Sequence, residues 1–167
     1  MHGHSRIGAP VLSKKICMVG SFSVGKTSLV ARFVESVFSD KYLTSVGVKV
    51  DKKVVTCAGQ EVKLMLWDLA GKDDFQELPS SHLKGMAGYL LVVDTTRRAT
   101  LQMALQLRAR IESEFGPIPY RLLLNKIDLV DDWDLQEEPI DAAWLRTSCK
   151  TGEGVEEAFL GLAQAML

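Results

Sequence analysis

The chain alternates between short, almost wholly apolar runs and stretches in which apolar residues return every three or four positions. The first pattern fits strands covered on both faces, and the second fits amphipathic helices packed against them. "KKICMVG", about residues 15–20, reads as a strand that feeds the helical "GKTSLVARFVES" at 25–36. "VGVKVDKKVVTC" and "EVKLMLWD" flank Ala58, Gly59 and Gln60, which predicts an antiparallel hairpin with a glycine in its turn. "GYLLVVD" at 88–94 has no polar face until its last residue, as expected of a strand buried on both sides. From Thr100 the residues Leu101, Ala104, Leu105, Ile111 and Phe115 follow a near-helical repeat that Gly116 and Pro117 terminate. "YRLLLNKID" and "AWLRTS" supply two more strands, and Val155, Phe159, Leu162, Ala163 and Met166 share one face of a C-terminal helix.

Strands alternating with crossover helices predict an α/β fold: a mainly parallel sheet with helices on both faces and ligands at the carboxyl ends of the strands. The loops at 20–25, 68–75, 125–128 and 148–150 are therefore the places to search for chemistry.

Composition narrows the function. A length of 167 residues suits one domain, and 47% hydrophobic with 25% charged residues excludes a disordered or fibrous chain. With 20 basic against 21 acidic side chains there is no general affinity for nucleic acid or an anionic membrane, so any bound anion is held by local geometry. Cys17, Cys57 and Cys149 lack metal-ligand or redox spacing, which points to a reducing, cytoplasmic setting. The longest apolar stretch, 87–93, falls far short of the roughly 18 residues of a membrane span. The N-terminus has no secretory apolar region and carries His2 where a myristoylated chain has glycine. Residues 1–13, with His2 and His4, read as a flexible extension ahead of one domain at 14–167.

"GSFSVGKT" at 20–27 fits G-x-x-x-x-G-K-[ST] and lies between a predicted strand and a predicted helix. Glycines let the backbone curl so that successive N–H groups face phosphate oxygens, and the helix N-terminus adds partial positive charge. Lys26 then reaches the β- and γ-phosphates and the Thr27 hydroxyl ligates Mg²⁺. A phosphate loop of this kind also needs a carboxylate from a neighbouring strand end. Asp68 fits, holding Mg²⁺ through water, and Gly71 is placed to bring its bare N–H to a γ-phosphate. "NKID" at 125–128 ends a buried strand, and "SCK" at 148–150 follows the sixth. A carboxylate accepts from the N1–H and 2-amino group of guanine, a donor pair that adenine lacks, so the nucleotide is read as GTP and GDP rather than ATP.

With GSFSVGKT, DLAG, NKID and SCK in this order, the chain resembles the Ras-like small GTPases, most closely the Rab branch, from about residue 15 onward. "WDLAGKDDF" is similar to the Rab stretch WDTAGQERF, and "YLTSVGVKV" to YISTIGVDF. The resemblance implies a P-loop G domain with a six-stranded sheet, five helices, and two switch segments near 38–48 and 70–84. By position, the N–H groups of Ser23, Val24, Gly25, Lys26, Thr27 and Ser28 cradle the phosphates beside Phe22, and Phe38 packs edge-on against guanine. Asn125 and Asp128 read the base, Lys126 covers its other side, and the Cys149 N–H, between Ser148 and Lys150, meets its O6. Ser45 is the second hydroxyl for Mg²⁺, in a place where the family nearly always has threonine, and Thr44 competes with it.

Two departures bear on catalysis. Lys72 occupies the place of the glutamine that orients the attacking water, and an ammonium has donors but no acceptor. Phe22 stands where the family has a small residue, so its ring crowds a partner's catalytic finger. Slow hydrolysis is expected; a Lys72 that turns inward to offset transition-state charge, or a partner that supplies everything, are the other readings. A GTP-locked adaptor is the alternative function, and "NKID" argues against a P-loop kinase or ATPase. The resemblance implies an effector at the switch segments, where Val50, Trp67 and His82 hold the places of an aromatic cluster, together with activating and exchange proteins. The sequence ends "LAQAML" without a prenylatable cysteine, so no direct membrane anchor is expected in this chain. Two readings of that end stay open: a lipidated tail has been removed, or this is a relative, for instance a prokaryotic one, that works without a tail.

Overall fold

A computed structural model of the chain describes residues 11–35, 48–69, 78–135 and 144–167. Its strands are β1 (Leu12–Gly20), β2 (Val48–Cys57), β3 (Gln60–Leu69), β4 (Gly88–Asp94), β5 (Tyr120–Asn125) and β6 (Trp144–Arg146). The helices are α1 (Lys26–Glu35), α2 (Ser80–Leu83), α3 (Arg98–Phe115) and α4 (Val155–Ala165). The six strands form one sheet in the order β2-β3-β1-β4-β5-β6. All pairs are parallel except β2 with β3. The predicted α/β architecture is the one observed.

Strand alternation explains why both faces are covered. Ile16 and Met18 of β1, Leu90 and Val92 of β4 and Leu123 of β5 point to one core, shared with Leu29 and Phe33 of α1 and Phe159 and Leu162 of α4. Their neighbours Cys17, Val19, Tyr89, Leu91, Val93, Leu122 and Leu124 point to the other, where Ala104, Leu107 and Ile111 of α3 pack. A strand clamped in this way has no solvent face, which is why β4 reads as an unbroken apolar run. The β2 edge instead alternates charge and carries Lys49, Asp51, Lys52 and Lys53, side chains that discourage pairing with another chain.

Three features differ from expectation. The ladder carries β1 back to Leu12, which pairs with Val62, so Leu12 and Ser13 belong to the sheet rather than to an extension ending at 13. The hairpin turn is the two residues Ala58 (φ 51°) and Gly59 (φ 78°), both left-handed as a type I′ turn requires, and Gln60 already belongs to β3. In α3 the buried series is Thr100, Ala104, Leu107 and Ile111, whereas Leu105 lies off that stripe and is 39% exposed. Where the family's fourth helix would lie, the described residues carry only a 3₁₀ turn at Val130–Asp132, in line with the acidic loop that the sequence 131–141 suggests, and 136–143 lie outside the described residues. No described helix is long and apolar enough to cross a membrane.

The two helices on the first face meet through Phe33 and Phe159, whose rings stack with centroids 4.2 Å apart. Phe159 is fully buried, so Phe159→Ala is expected to lower unfolding free energy by about 3–5 kcal/mol, read by urea denaturation.

Candidate functional site

Parallel pairing brings the carboxyl ends of the strands side by side. Asp68 of β3 pairs with Met18 of β1, while Asp94 of β4 pairs with Asn125 of β5. Gly20 closes β1 and opens the loop to α1 at Lys26. Gly20 and Gly25 leave no room for a side chain. A Cβ on Gly20 would meet the Val92 carbonyl oxygen at 2.6 Å, and one on Gly25 would meet Asn125 Nδ2 at 2.4 Å.

Every carbonyl of this loop is answered by a donor from the protein. Lys26 Nζ donates to the carbonyls of Gly20 and Ser21, both at 3.0 Å. An Arg97 guanidinium nitrogen donates to Phe22 O at 2.6 Å, Lys126 Nζ to Ser23 O at 3.1 Å, and Asn125 Nδ2 to Val24 O at 2.9 Å. Gly25 O accepts from the Leu29 amide of the first helical turn at 2.8 Å. The peptides are trans, so each N–H points opposite to the carbonyl of its own peptide group. Tying down the carbonyls from Phe22 to Val24 therefore turns the N–H groups of Ser23, Val24 and Gly25 the other way, as an anion cradle needs.

Beside the cradle, the Thr27 hydroxyl donates to Asp68 Oδ2 at 2.5 Å. Asp68 is 3% exposed; burial raises its carboxyl above the ordinary range against the opposing pull of Thr27, Lys26 and Lys49. Lys26 is 6% exposed, and burial, countered by Asp68 and reinforced by Arg97, brings its ammonium down to about 8. A buried carboxylate and a buried ammonium, each penalised by desolvation, are relieved by a hard divalent cation and a polyphosphate respectively. The Thr27 and Asp68 oxygens are the donor type that Mg²⁺ prefers, so the residues present fit that ion.

The loops after β5 and β6 are built on Asn125 and Ser148. Asn125 is 1% exposed; its amide nitrogen holds the phosphate loop, and its oxygen accepts from the Thr147 hydroxyl at 3.0 Å. Asp128 is half-buried, with Oδ1 accepting from Ser148 Oγ at 2.8 Å. Cys149 is buried, and burial pushes its thiol up to about 11, so it acts as packing rather than as a thiolate, while Lys150 is exposed. Lys126 sits at φ 69° and reaches both the phosphate loop and Asp94. Phe22 is 51% exposed at the rim. Phe38, Thr44, Ser45, Gly71 and Lys72 lie outside the described residues.

Sequence reading missed Asp94, Arg97 and Thr147. Asp94 is 1% exposed and its carboxylate accepts four hydrogen bonds: Oδ1 from the Thr96 amide and hydroxyl, Oδ2 from Arg97 Nε at 3.0 Å and Lys126 Nζ at 2.9 Å. One signal for it was present, a lone carboxylate closing an otherwise apolar strand.

The Ras family model matches residues 15–167. The chain belongs to the Ras family. It is 32% identical to the Ras-related protein Rab-4 of Dictyostelium discoideum over 171 residues, covering 96% of this chain and 82% of that protein. It is 31% identical to human Ras-related protein Rab-32, over 92% of this chain and 74% of the relative, and 30% identical to Rab-13 of Bos taurus, over 92% and 79%. Membership supports a GTP-binding switch GTPase, and Ras and Rab GTPases in general bind GTP or GDP with Mg²⁺.

In this Ras-family domain the Asp94 cluster sets an acid limit. Burial alone would raise the Asp94 carboxyl, but the hydrogen bonds from Lys126, Thr96 and Arg97 outweigh it and hold the group below the ordinary range. A carboxyl depressed by folding stabilises the fold above its unfolded value, near ~4, and that contribution disappears as pH falls through the depressed folded value. Asp94→Asn is expected to lose about 2–4 kcal/mol at neutral pH, less than a fully buried pair because Arg97 is partly exposed. Urea unfolding of parent and variant at pH 7 and in strong acid checks this: the gap narrows on acidification.

Proposed function

We propose that the chain is a guanine-nucleotide switch that binds GTP and GDP with Mg²⁺, hydrolyses GTP slowly, and passes its state to a protein effector through the segments near 38–48 and 70–84. The observation that carries this reading is the phosphate loop, whose carbonyls are held by donors from β5, α1 and the loops after β4 and β5, with Thr27 and Asp68 together beside it. In this reading the N–H groups from Ser23 to Ser28 and the Lys26 ammonium hold the phosphates, and Thr27, Ser45 and Asp68 take the metal, Asp68 through water. Mg²⁺ held by these oxygens would supply positive charge to the polyphosphate. Asp128 takes the guanine edge with the carboxylate that Ser148 orients, while Lys126 and the Cys149 amide border the base. Asn125 contributes by tying the base loop to the phosphate loop. Activating and exchange proteins belong to the same reading, as does a cytoplasmic setting, which the three free, buried thiols suit.

Slow turnover follows from two side chains. Lys72 cannot accept from the attacking water, and the exposed Phe22 ring stands at the rim that an inserted finger would have to pass. Such a finger contributes ~10³ to 10⁵ in rate. The same pair supports a second reading, a GTP-locked adaptor with little or no hydrolysis.

Single-turnover hydrolysis of preloaded Mg²⁺-GTP separates the two. Slow appearance of GDP supports a cycling switch, and GTP that persists for many hours supports the adaptor. Lys72→Gln is expected to speed hydrolysis; an unchanged rate counts against impaired water positioning. For the base, Asp128→Asn removes two charge-assisted hydrogen bonds to guanine and offers an amide N–H to the 2-oxo group of xanthine. Guanine nucleotide affinity is expected to fall by roughly 10² to 10⁴, with xanthine nucleotide affinity rising, in competition binding. Retention of guanine selectivity by that variant would remove Asp128 from the base site.

A further inference from the structure

The residue that holds Phe22 O lies outside all four motifs that mark the nucleotide site in the sequence. Arg97 is the N-cap of α3, and its own amide donates to Asp94 O at 2.9 Å, so its backbone is fixed by a turn at the end of β4. From there its guanidinium makes two directed contacts, Nε to Asp94 Oδ2 at 3.0 Å and Nη2 to Phe22 O at 2.6 Å. A guanidinium is a rigid planar fork, so fixing one arm on a buried carboxylate aims the other. Lys126 uses the same Asp94 oxygen and holds the next carbonyl, Ser23 O.

Between these two held carbonyls lies Ser23, with φ 60° and no glycine to make that conformation easy. A non-glycine residue persists there only where its surroundings over-determine it. The two cations on Asp94 do so, one on each side of the residue. Lys126 controls the Ser23–Val24 peptide, whereas the Phe22–Ser23 peptide is held by Arg97.

We infer that Arg97 is a positioning residue for nucleotide binding: by holding the Phe22 carbonyl it keeps Ser23 left-handed and aims the Ser23 N–H at the phosphates. This rests on the guanine-nucleotide reading above and adds to it a residue that none of the motifs contains. The Arg97 charge also reaches Lys26, whose ammonium it helps to lower, so it reinforces the positive field of the phosphate loop. A plain surface ion pair is the competing account, because the Arg97 side chain is 41% exposed. Such a pair affects stability slightly and leaves bound phosphate untouched.

The test uses the whole chain loaded with Mg²⁺ and a fluorescent GDP analogue, comparing parent, Arg97→Gln and Arg97→Lys. Release from Arg97→Gln is expected to be about tenfold faster, the worth of one charged hydrogen bond. Arg97→Lys, which keeps the charge but reaches Asp94 or Phe22 O rather than both, is expected to fall between. Phosphorus NMR of bound GDP should show a displaced phosphate resonance in Arg97→Gln, a readout that a merely structural loss would not move. The lysine variant keeps the test open if the glutamine variant does not fold. Release within twofold of the parent together with unchanged phosphorus shifts overturns the role of Arg97 and leaves the guanine reading standing. A parent chain that retains no guanine nucleotide overturns that reading, and this inference with it.

Discussion

A peptide group can offer its N–H to a ligand only if its carbonyl is satisfied elsewhere, and that constraint organises this molecule. A carbonyl buried without a partner costs about 1–3 kcal/mol, so a loop that turns several N–H groups to one side must find donors for its carbonyls on the other. Here the donors arrive from separate parts of the chain: Lys26 from α1, Arg97 after β4, and Asn125 and Lys126 at and beyond the end of β5. They converge only because β1, β4 and β5 are parallel neighbours whose carboxyl ends coincide. The two-sided apolar core that holds those strands in register therefore also sets the geometry of the phosphate loop.

The same convergence concentrates positive charge in a chain whose formal net charge is −1. Lys26, Lys126 and Arg97 face the loop, while Asp94 is saturated by four donors and its charge is compensated within the protein. Asp68 differs in that, among the described residues, its side-chain hydrogen bond comes from the Thr27 hydroxyl rather than from a cation.

The sheet and its layers were legible because a strand covered on both faces must be apolar throughout, as β4 and β5 are, and because amphipathic helices keep their stripe, as α4 does. Leu105 misled because hydrophobicity alone does not say which of several near-helical series faces the core. The motif strings were visible in the sequence because each sets its residue types at fixed spacing along the chain. Asp94, Arg97 and Thr147 were not, because their role depends on distances across the sheet that no spacing along the chain encodes: Arg97 and Phe22 are 75 positions apart yet share a hydrogen bond. Asn125 illustrates a related limit, since its place was visible but its use as a tie between two loops was not.

The antiparallel pair at the sheet edge has a mechanical consequence. Val48, the first residue of β2, pairs directly with Leu69, the last of β3, and the ladder between them runs unbroken to the turn at Ala58 and Gly59. The two ends of this hairpin in the described residues, Val48 and Leu69, thus meet at a single rung. Directly opposed antiparallel residues lie about 4.5–5.5 Å apart, so the two strand ends share one foundation. Asp68 lies one step inside that rung, opposite Lys49. A force applied at either end of this rung is therefore delivered one residue away from the buried Asp68 carboxylate, and the hairpin transmits it as one stiff beam.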